Sequence, residues 1–228
     1  MKREFLTTQD GSVTIHLPDW NEQYHSIHGA INEAKHVFLK HGLEFFITPE
    51  ENRAQPIAIL EIGFGTGLNA FLTSLFAEGN GHLINYTGVE AYPVETSEIK
   101  QLNYSELLNT SIDSFTRLHD GPWEVTEAIS DHFTLTKRKQ FFSEIKDKEA
   151  FHIIYFDAFG ARVQPELWTE DIFKAMYEAL LPKGVLVTYS AKGSVRRAMQ
   201  AVGFTVERLP GPPGKREMLR AIKVENDI

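Results

Sequence analysis

Short apolar runs alternate with helical segments from residue 57 onward, and this alternation restricts most strongly what the chain can fold into. The predicted strands occupy residues 57–62, 84–89, 133–137, 151–156 and 184–189. Strands that are apolar along their whole length are typical of a parallel sheet with helices on both faces. The alternation therefore predicts an α/β fold of the Rossmann-like kind, built on a mostly parallel sheet.

Two further segments, 204–208 and 218–224, are joined by a Pro- and Gly-rich stretch, which favours an antiparallel hairpin at the sheet edge. The sheet would then have seven strands. The first fifty residues differ in character and predict a small extension packed on the core. We therefore expect two units, an extension of residues 1–50 and a main domain of residues 51–228.

Within the extension, two short β runs flank Asp10-Gly11, a pair typical of a hairpin turn. Apolar residues at helical spacing then predict a helix over 27–41, with Gly42 as its C-cap. Farther along, residues 169–181 predict a helix with Thr169 as its N-cap.

Composition excludes several classes of site. The 228 residues contain no cysteine, which rules out disulfides, thiolate zinc sites and cysteine nucleophiles. The histidines at 25, 28, 36 and 41 do not repeat on one helix face, so we predict no metal site. No run reaches the roughly 18 apolar residues of a membrane span, and the N-terminus lacks the apolar core of a signal peptide. We expect a soluble, cytoplasmic protein without a membrane partner.

The net charge of −8 is unevenly distributed. Residues 183–223 carry nine Lys or Arg and two acids, a net +7, which leaves −15 for the remainder. This asymmetry permits a basic face suited to RNA on an acidic protein. It is equally compatible with ordinary solvated faces. The candidate RNA contacts are Lys192, Arg196, Arg197, Lys215 and Arg216.

A glycine-rich turn, Gly63-Phe64-Gly65-Thr66-Gly67, follows the first core strand. Glycines there allow the backbone to turn tightly and approach a ligand beside a helix N-terminus. A dinucleotide-binding turn would require Gly at position 68, where the chain has Leu68. With Glu61 two residues before Gly63, the pattern resembles motif I of class I S-adenosylmethionine (SAM)-dependent methyltransferases.

Two further acids stand at predicted strand ends. Glu90 follows the second core strand, where a carboxylate can accept the ribose hydroxyls of a bound nucleoside. Asp157 follows the fourth, and a carboxylate at this edge is costly unless it is paired or functional. Its neighbours Ala158 and Phe159 do not form the signature of many base-amine methyltransferases. Asp157 therefore suits an aliphatic amine, which must lose a proton before it attacks a methyl sulfonium.

An ordered set of motifs over nearly the whole chain resembles the methyltransferase half of the MnmC family. These motifs are Tyr24-His25-Ser26, Gly29-Ala30 with Glu33, Val37-Phe38-Leu39, the run from Glu61 to Asn69, Phe156-Asp157-Ala158-Phe159, Pro165-Glu166-Leu167-Trp168, Ala191 to Arg197, and Gly214 to Leu219. The resemblance implies methylation of the aminomethyl group of 5-aminomethyl-(2-thio)uridine at the tRNA wobble position. It implies Asp157 as the catalytic base. The residues it implies for SAM are Glu33, Glu61, Gly63, Gly65, Gly67, Glu90 and Asp157.

The chain departs from that family in two ways. Its 228 residues match the methyltransferase alone, so we expect no FAD, and a separate enzyme would supply the aminomethyl group. A Gly-Asp-Ile stretch suited to the adenine amino group is replaced by Lys139-Gln140-Phe141-Phe142, where backbone groups near Gln140 would take its place.

Other functions stay open at this stage. They are aminopropyl transfer, small-molecule amine methylation, and RNA binding without catalysis. Trp168 and Phe159 are candidates for framing a flipped-out base. The oligomeric state is not predicted.

Overall fold

The computed structural model describes residues 2–53 and 56–225, which contain two β-sheets. The small N-terminal sheet is antiparallel and consists of β1 (Glu4–Thr7), β2 (Val13–Leu17) and β3 (Glu22–Gln23). The predicted hairpin through Asp10-Gly11 is confirmed as the β1–β2 pair.

The main sheet has eight strands in the order β10-β11-β9-β8-β4-β5-β7-β6 within the described residues. They are β4 (Ile57–Ile62), β5 (Ile84–Val89), β6 (Thr126–Ala128), β7 (Phe133–Arg138), β8 (Phe151–Phe156), β9 (Leu180–Thr188), β10 (Phe204–Pro210) and β11 (Glu217–Lys223). The five central strands pair in parallel, and β10, β11 and β6 are antiparallel. The predicted fold class is confirmed. The eighth strand, β6, is three mostly exposed residues without an apolar run, which is why no pattern predicted it.

Helices cover both faces of this sheet. They are α1 (Ala30–Ala34), which continues as a π-helix over Lys35–Glu44, then α2 (Leu68–Asn80), α3 (Thr96–Ile99), α4 (Tyr104–Leu107), α5 (Ile112–Asp120), α6 (Glu170–Ala179) and α7 (Gly193–Ala201). Thr169 is the N-cap residue of α6, as predicted, although its side chain forms no capping hydrogen bond. The short helices α3 to α5 were not predicted. None of the helices in the described ranges is long and apolar enough to cross a bilayer.

The prediction that Gly42 ends the first long helix is wrong. The helix continues through Glu44, and Gly42 lies buried inside it. A Cβ at Gly42 would lie 3.0 Å from Val187 and 3.1 Å from Tyr155. The glycine therefore allows this helix to approach the sheet closely.

The hydrophobic core has two parts, one on each face of the main sheet. Val37 and Phe38 of the N-terminal segment belong to the same cluster as Phe71 and Tyr155. The second cluster centres on Phe156, Phe173 and Met176. Residues 30–47 thus share the core of the main sheet, and a unit boundary at residue 50 stays a proposal.

Candidate active site

A cleft of about 1340 Å³ lies at the carboxyl ends of the central parallel strands. It is lined by the loops after β4, β5 and β8, by the segment 20–28 and by Gly214-Lys215. Because chain connections leave β4 in opposite directions toward β5 and β8, this edge is the topological switch point where open α/β sheets bind ligands.

The glycine turn brings three strand ends together. The N–H groups of Gly63 and Phe64 both donate to the Val89 carbonyl at 3.0 Å, and the Asp157 N–H donates to the Ile62 carbonyl at 2.9 Å. Gly63 has a φ of +91°, and a Cβ there would lie 2.8 Å from the Asp157 carbonyl oxygen. The close approach of the β4 and β8 ends therefore requires glycine at position 63. Gly67 is the N-cap residue of α2.

Glu90 is held by backbone groups at the end of β5. Gly65 N–H donates to Glu90 Oε2 at 3.1 Å, and Tyr92 N–H donates to Oε1 at 2.9 Å. Burial raises the pKa of Glu90. Each carboxylate oxygen can accept a further hydrogen bond, so the carboxylate is oriented and still able to receive two ligand hydroxyls.

The side-chain amide of Asn69 bonds two of the predicted acids, Glu61 and Asp157. Asn69 Nδ2 donates to Glu61 Oε1 at 2.9 Å and to Asp157 Oδ2 at 2.8 Å. Glu61 and Asn69 are both buried, and Asp157 is partly exposed in the cleft. Asn69 therefore fixes the position of Asp157 relative to the glycine turn.

Desolvation changes the acidity of this group. Burial raises the pKa of Asp157 well above its usual range, and the nearby Glu33 carboxylate raises it further. Burial likewise raises the pKa of Glu61 well above its ordinary value. A carboxylate with a raised pKa is a stronger base than one free in water, which is the property that proton removal from an amine requires.

Glu33 and Lys215 meet beside Asp157, although 182 positions separate them in the sequence. Lys215 Nζ lies 2.5 Å from Glu33 Oε2 and 3.9 Å from the centroid of the Tyr189 ring. Glu33 is buried and also accepts the Ser26 N–H at 3.1 Å. Lys215 was predicted as an RNA contact, but the structure places its ammonium in the cleft.

The other four predicted basic residues lie outside the cleft lining. Lys192, Arg197 and Arg216 are exposed, and Arg196 is partly buried. None of the four forms an ion pair with any residue in the described part of the chain. In the same segment, Arg220 pairs with Glu207.

Aromatic side chains form one rim of the cleft. Phe159 makes edge contacts with Trp20 and Tyr24, at centroid distances of 5.8 and 4.9 Å. Trp168, a candidate for framing a base, is instead buried against Phe156, and its indole N–H donates to the Phe159 carbonyl at 2.8 Å. Its position is that of a packing residue.

Near Glu90, the stretch that replaces Gly-Asp-Ile also lines the cleft. Phe141 is exposed and lies 6.0 Å from the Tyr92 ring, and Phe142 is buried. The Phe141 N–H already donates to Glu144. This part of the cleft therefore offers aromatic faces rather than a carboxylate.

The histidines do not assemble a metal centre. His25 is buried between Thr14 and Thr66, with ring nitrogens 3.0 and 3.4 Å from their hydroxyls, and burial lowers its pKa to about 4. Among residues 2–53 and 56–225, no group of three or more potential ligands is arranged to hold a metal ion.

Sequence reasoning missed Asn69 and Tyr189 as site residues. Tyr189 directly follows β9, so the strand-end rule that selected Glu90 and Asp157 also applies to it. Asn69 is a polar residue in the first turn of the otherwise apolar start of α2, which is a weaker signal.

Comparisons with known proteins agree with this geometry. Residues 125–224 match the model of a family described as S-adenosyl-L-methionine-dependent methyltransferase. The chain is 29% identical over 223 residues to the tRNA 5-methylaminomethyl-2-thiouridine biosynthesis bifunctional protein MnmC of Pseudomonas savastanoi pv. phaseolicola, covering 89% of this chain and 32% of that protein. It is 28% identical over 228 residues to MnmC of Burkholderia mallei, covering 92% and 34%. The chain thus spans about a third of the length of these relatives.

Solved structures show the same relationship. The crystal structure of MnmC2 from Aquifex aeolicus superposes with a TM-score of 0.78 at 26% identity, covering 96% of this chain and 70% of that one. A spermidine synthase superposes with a TM-score of 0.59 at 17% identity, over 97% of this chain and 70% of that one, and shows the fold alone. The chain thus has the fold of class I SAM-dependent methyltransferases, and its residues 125–224 match the model of such a family. In sequence and in structure the chain resembles the methyltransferase part of MnmC, as its sequence motifs predicted.

Proposed function

We propose that this domain transfers a methyl group from SAM to the aminomethyl group of 5-aminomethyl-(2-thio)uridine at the tRNA wobble position. One observation carries the proposal. Four acids, Glu33, Glu61, Glu90 and Asp157, line one cleft at the sheet edge. Both proposed substrates enter as cations, a sulfonium with an α-ammonium and a protonated alkylamine, and an anionic cleft attracts them.

The residues around the glycine turn fit SAM. Glu90 is oriented to accept the ribose hydroxyls, and Gly63, Gly65 and Gly67 all have positive φ in the turn beside it. We assign Glu61 and Glu33 to the cationic amino-acid end, and the Phe141 and Phe142 rings to the adenine. When bound, SAM supplies an electrophilic methyl group on sulfur.

Asp157 has the position and acidity of the catalytic base. Asn69 occupies its Oδ2, and no residue in the described ranges bonds to Oδ1. An acceptor ammonium bound at Oδ1 would give up its proton to this carboxylate. The amine lone pair is then free to attack. The bound positive charges stabilise the ionised form of Asp157, so binding itself prepares the base.

The basic residues outside the cleft fit contacts to RNA. We propose Lys192, Arg196, Arg197 and Arg216 as phosphate contacts, because they form no ion pair within the described residues and sit outside the acidic cleft. We further propose that a separate enzyme supplies the aminomethyl group. We also propose a cytoplasmic location, because the proposed substrate is tRNA.

The test is methyl transfer from labelled SAM to tRNA that lacks this modification, followed by mass analysis of its nucleosides. The expected product is 5-methylaminomethyl-(2-thio)uridine. A parallel reaction with decarboxylated SAM and putrescine tests aminopropyl transfer, and free amines test small-molecule methylation. Activity only with decarboxylated SAM and putrescine would indicate aminopropyl transfer, and activity only with free amines would indicate small-molecule methylation. Binding of RNA without binding of SAM would indicate an RNA-binding protein without catalysis.

A further inference from the structure

The position of the Lys215 ammonium marks a small cation site inside the cleft. Nζ lies 2.5 Å from Glu33 Oε2 and 3.9 Å from the centroid of the Tyr189 ring. A carboxylate combined with an aromatic face is a favourable environment for an alkylammonium group. In this structure the protein itself fills that environment.

The same site adjoins Asp157. The Tyr189 hydroxyl donates to the carbonyl of Ala158 at 2.8 Å, which fixes the ring next to the residue that follows Asp157. Glu33 is positioned from the other side, because its Oε1 accepts the Ser26 N–H. An ammonium held by Glu33 and Tyr189 is therefore a neighbour of the proposed base.

Lys215 itself belongs to the tip of the β10–β11 hairpin, outside both strands. Its N–H donates to the Pro212 carbonyl at 2.9 Å, so its backbone is fixed by the turn and not by the cleft. Its side chain is partly exposed. The ammonium can leave the cleft by rotation of side-chain torsions, with the sheet unchanged.

We propose that Glu33 and the Tyr189 ring form the subsite for the acceptor's aminomethyl ammonium. The Lys215 ammonium occupies this subsite in the unliganded protein, and the acceptor displaces it. This inference rests on the proposed function and refines it, because it moves Glu33 from the cofactor to the acceptor amine. Without the acceptor, Lys215 neutralises a buried carboxylate. While the Lys215 ammonium fills the subsite, the acceptor cannot bind there. The apparent Kd for the acceptor therefore equals its intrinsic Kd divided by the fraction of molecules in which the subsite is empty.

The test compares Lys215→Met with Lys100→Met, a matched change at an exposed lysine outside the cleft. Titration calorimetry in the presence of S-adenosylhomocysteine measures binding of 5-aminomethyluridine and of 5-methyluridine, which lacks the ammonium. We expect Lys215→Met to bind 5-aminomethyluridine about tenfold more tightly, with 5-methyluridine unchanged. Lys100→Met should match the wild type for both. Unchanged or weaker binding of 5-aminomethyluridine by Lys215→Met would overturn the inference.

Two Tyr189 variants test the aromatic wall. Tyr189→Phe keeps the ring and should retain affinity for 5-aminomethyluridine, whereas Tyr189→Leu should lose about tenfold. Equal affinities for the two variants would contradict the subsite.

The amino-acid end of SAM carries the same ammonium chemistry, and SAM affinity separates the two sources. If Lys215→Met tightens SAM and leaves 5-aminomethyluridine unchanged, the subsite belongs to the cofactor and the inference is wrong. If the wild type neither binds SAM nor methylates RNA, it is the proposed function that fails.

Discussion

Replacing Asp157 with Asn separates a catalytic base from a structural cap. The carboxylate accepts one side-chain hydrogen bond, from Asn69, and no backbone N–H in the described part of the following loop donates to it. Asn keeps the shape and an acceptor for Asn69 but removes charge and basicity. We expect kcat to fall by about 10²–10⁴, the usual effect of removing a positioned base, which corresponds to about 2.7–5.5 kcal/mol of barrier.

The same substitution should stabilise the unliganded protein at alkaline pH. Burial raises the pKa of Asp157 above its ordinary value of 3.8, so the folded state binds this proton more tightly than the unfolded state. The resulting stability is complete below pH 3.8 and is lost as the pH rises through the higher, folded-state pKa. Asn carries no charge to desolvate. Because Asp157 is partly exposed, we expect a gain of about 1 kcal/mol at pH 8, or roughly 2–4 °C in Tm.

Three measurements together decide the outcome. Thermal unfolding at pH 5 and pH 8 should show a Tm advantage for Asp157→Asn that grows with pH. Calorimetry should show that the variant still binds SAM, and pH–rate profiles should show partial rescue of kcat at high pH, where solvent deprotonates the amine. Near-wild-type kcat at neutral pH, or a lower Tm at pH 8, would refute the reasoning.

Three further changes test the rest of the site. Glu90→Ala should weaken SAM binding by about 1–3 kcal/mol without unfolding, because the ribose hydroxyls lose a charged acceptor; unchanged affinity in calorimetry would remove Glu90 from the site. Asn69→Ala should lower kcat more than it raises the KM for SAM and should move the acid limb of the pH–rate profile, because Asp157 loses its donor; a simple loss of folded protein in circular dichroism would mean a structural role only. Joint replacement of Arg197 and Arg216 by Ala should raise the KM for tRNA. It should also reduce the slope of log affinity against log salt concentration by about 0.9 per lost duplex contact. An identical slope for variant and wild type would mean that these residues are solvated and do not contact RNA.

The sequence predicted the parts of the fold that depend on local pattern. Of the five parallel strands, β4 and β8 are largely apolar runs, and the order of the predicted strands, with helices between them, indicates the sheet. Because ligands of open α/β sheets bind at the carboxyl ends of the strands, the sequence alone predicted that Gly63, Glu90 and Asp157 lie at one edge of the sheet. Between β5 and β7, α3, α4 and β6 were not predicted because elements of three or four residues carry almost no periodic signal. The nine-residue α5 was also missed, although its buried Phe115 and Leu118 lie at helical spacing.

Side-chain partners could not be predicted in the same way. That Asn69 bonds both Glu61 and Asp157 depends on the rotamers of three residues on three elements. The inward direction of Lys215 depends on where a hairpin tip falls relative to Glu33, a contact over 182 positions. A count of charged residues in the sequence does not distinguish Lys215 from Arg216. In the structure Lys215 lines the cleft, whereas Arg216 is exposed outside it.

The contact between Glu33 and Lys215 also bears on how the protein comes into being on the ribosome. Glu33 is synthesised 182 residues before its partner, so the nascent chain carries an uncompensated acid at the mouth of a half-built pocket through most of translation. The hairpin that carries Lys215 contains the last two strands of the described sheet to be synthesised, and its pairing with β9 accompanies the contact between the ammonium and that acid. Glu33 can therefore be paired with Lys215 only after the β10–β11 hairpin has been synthesised.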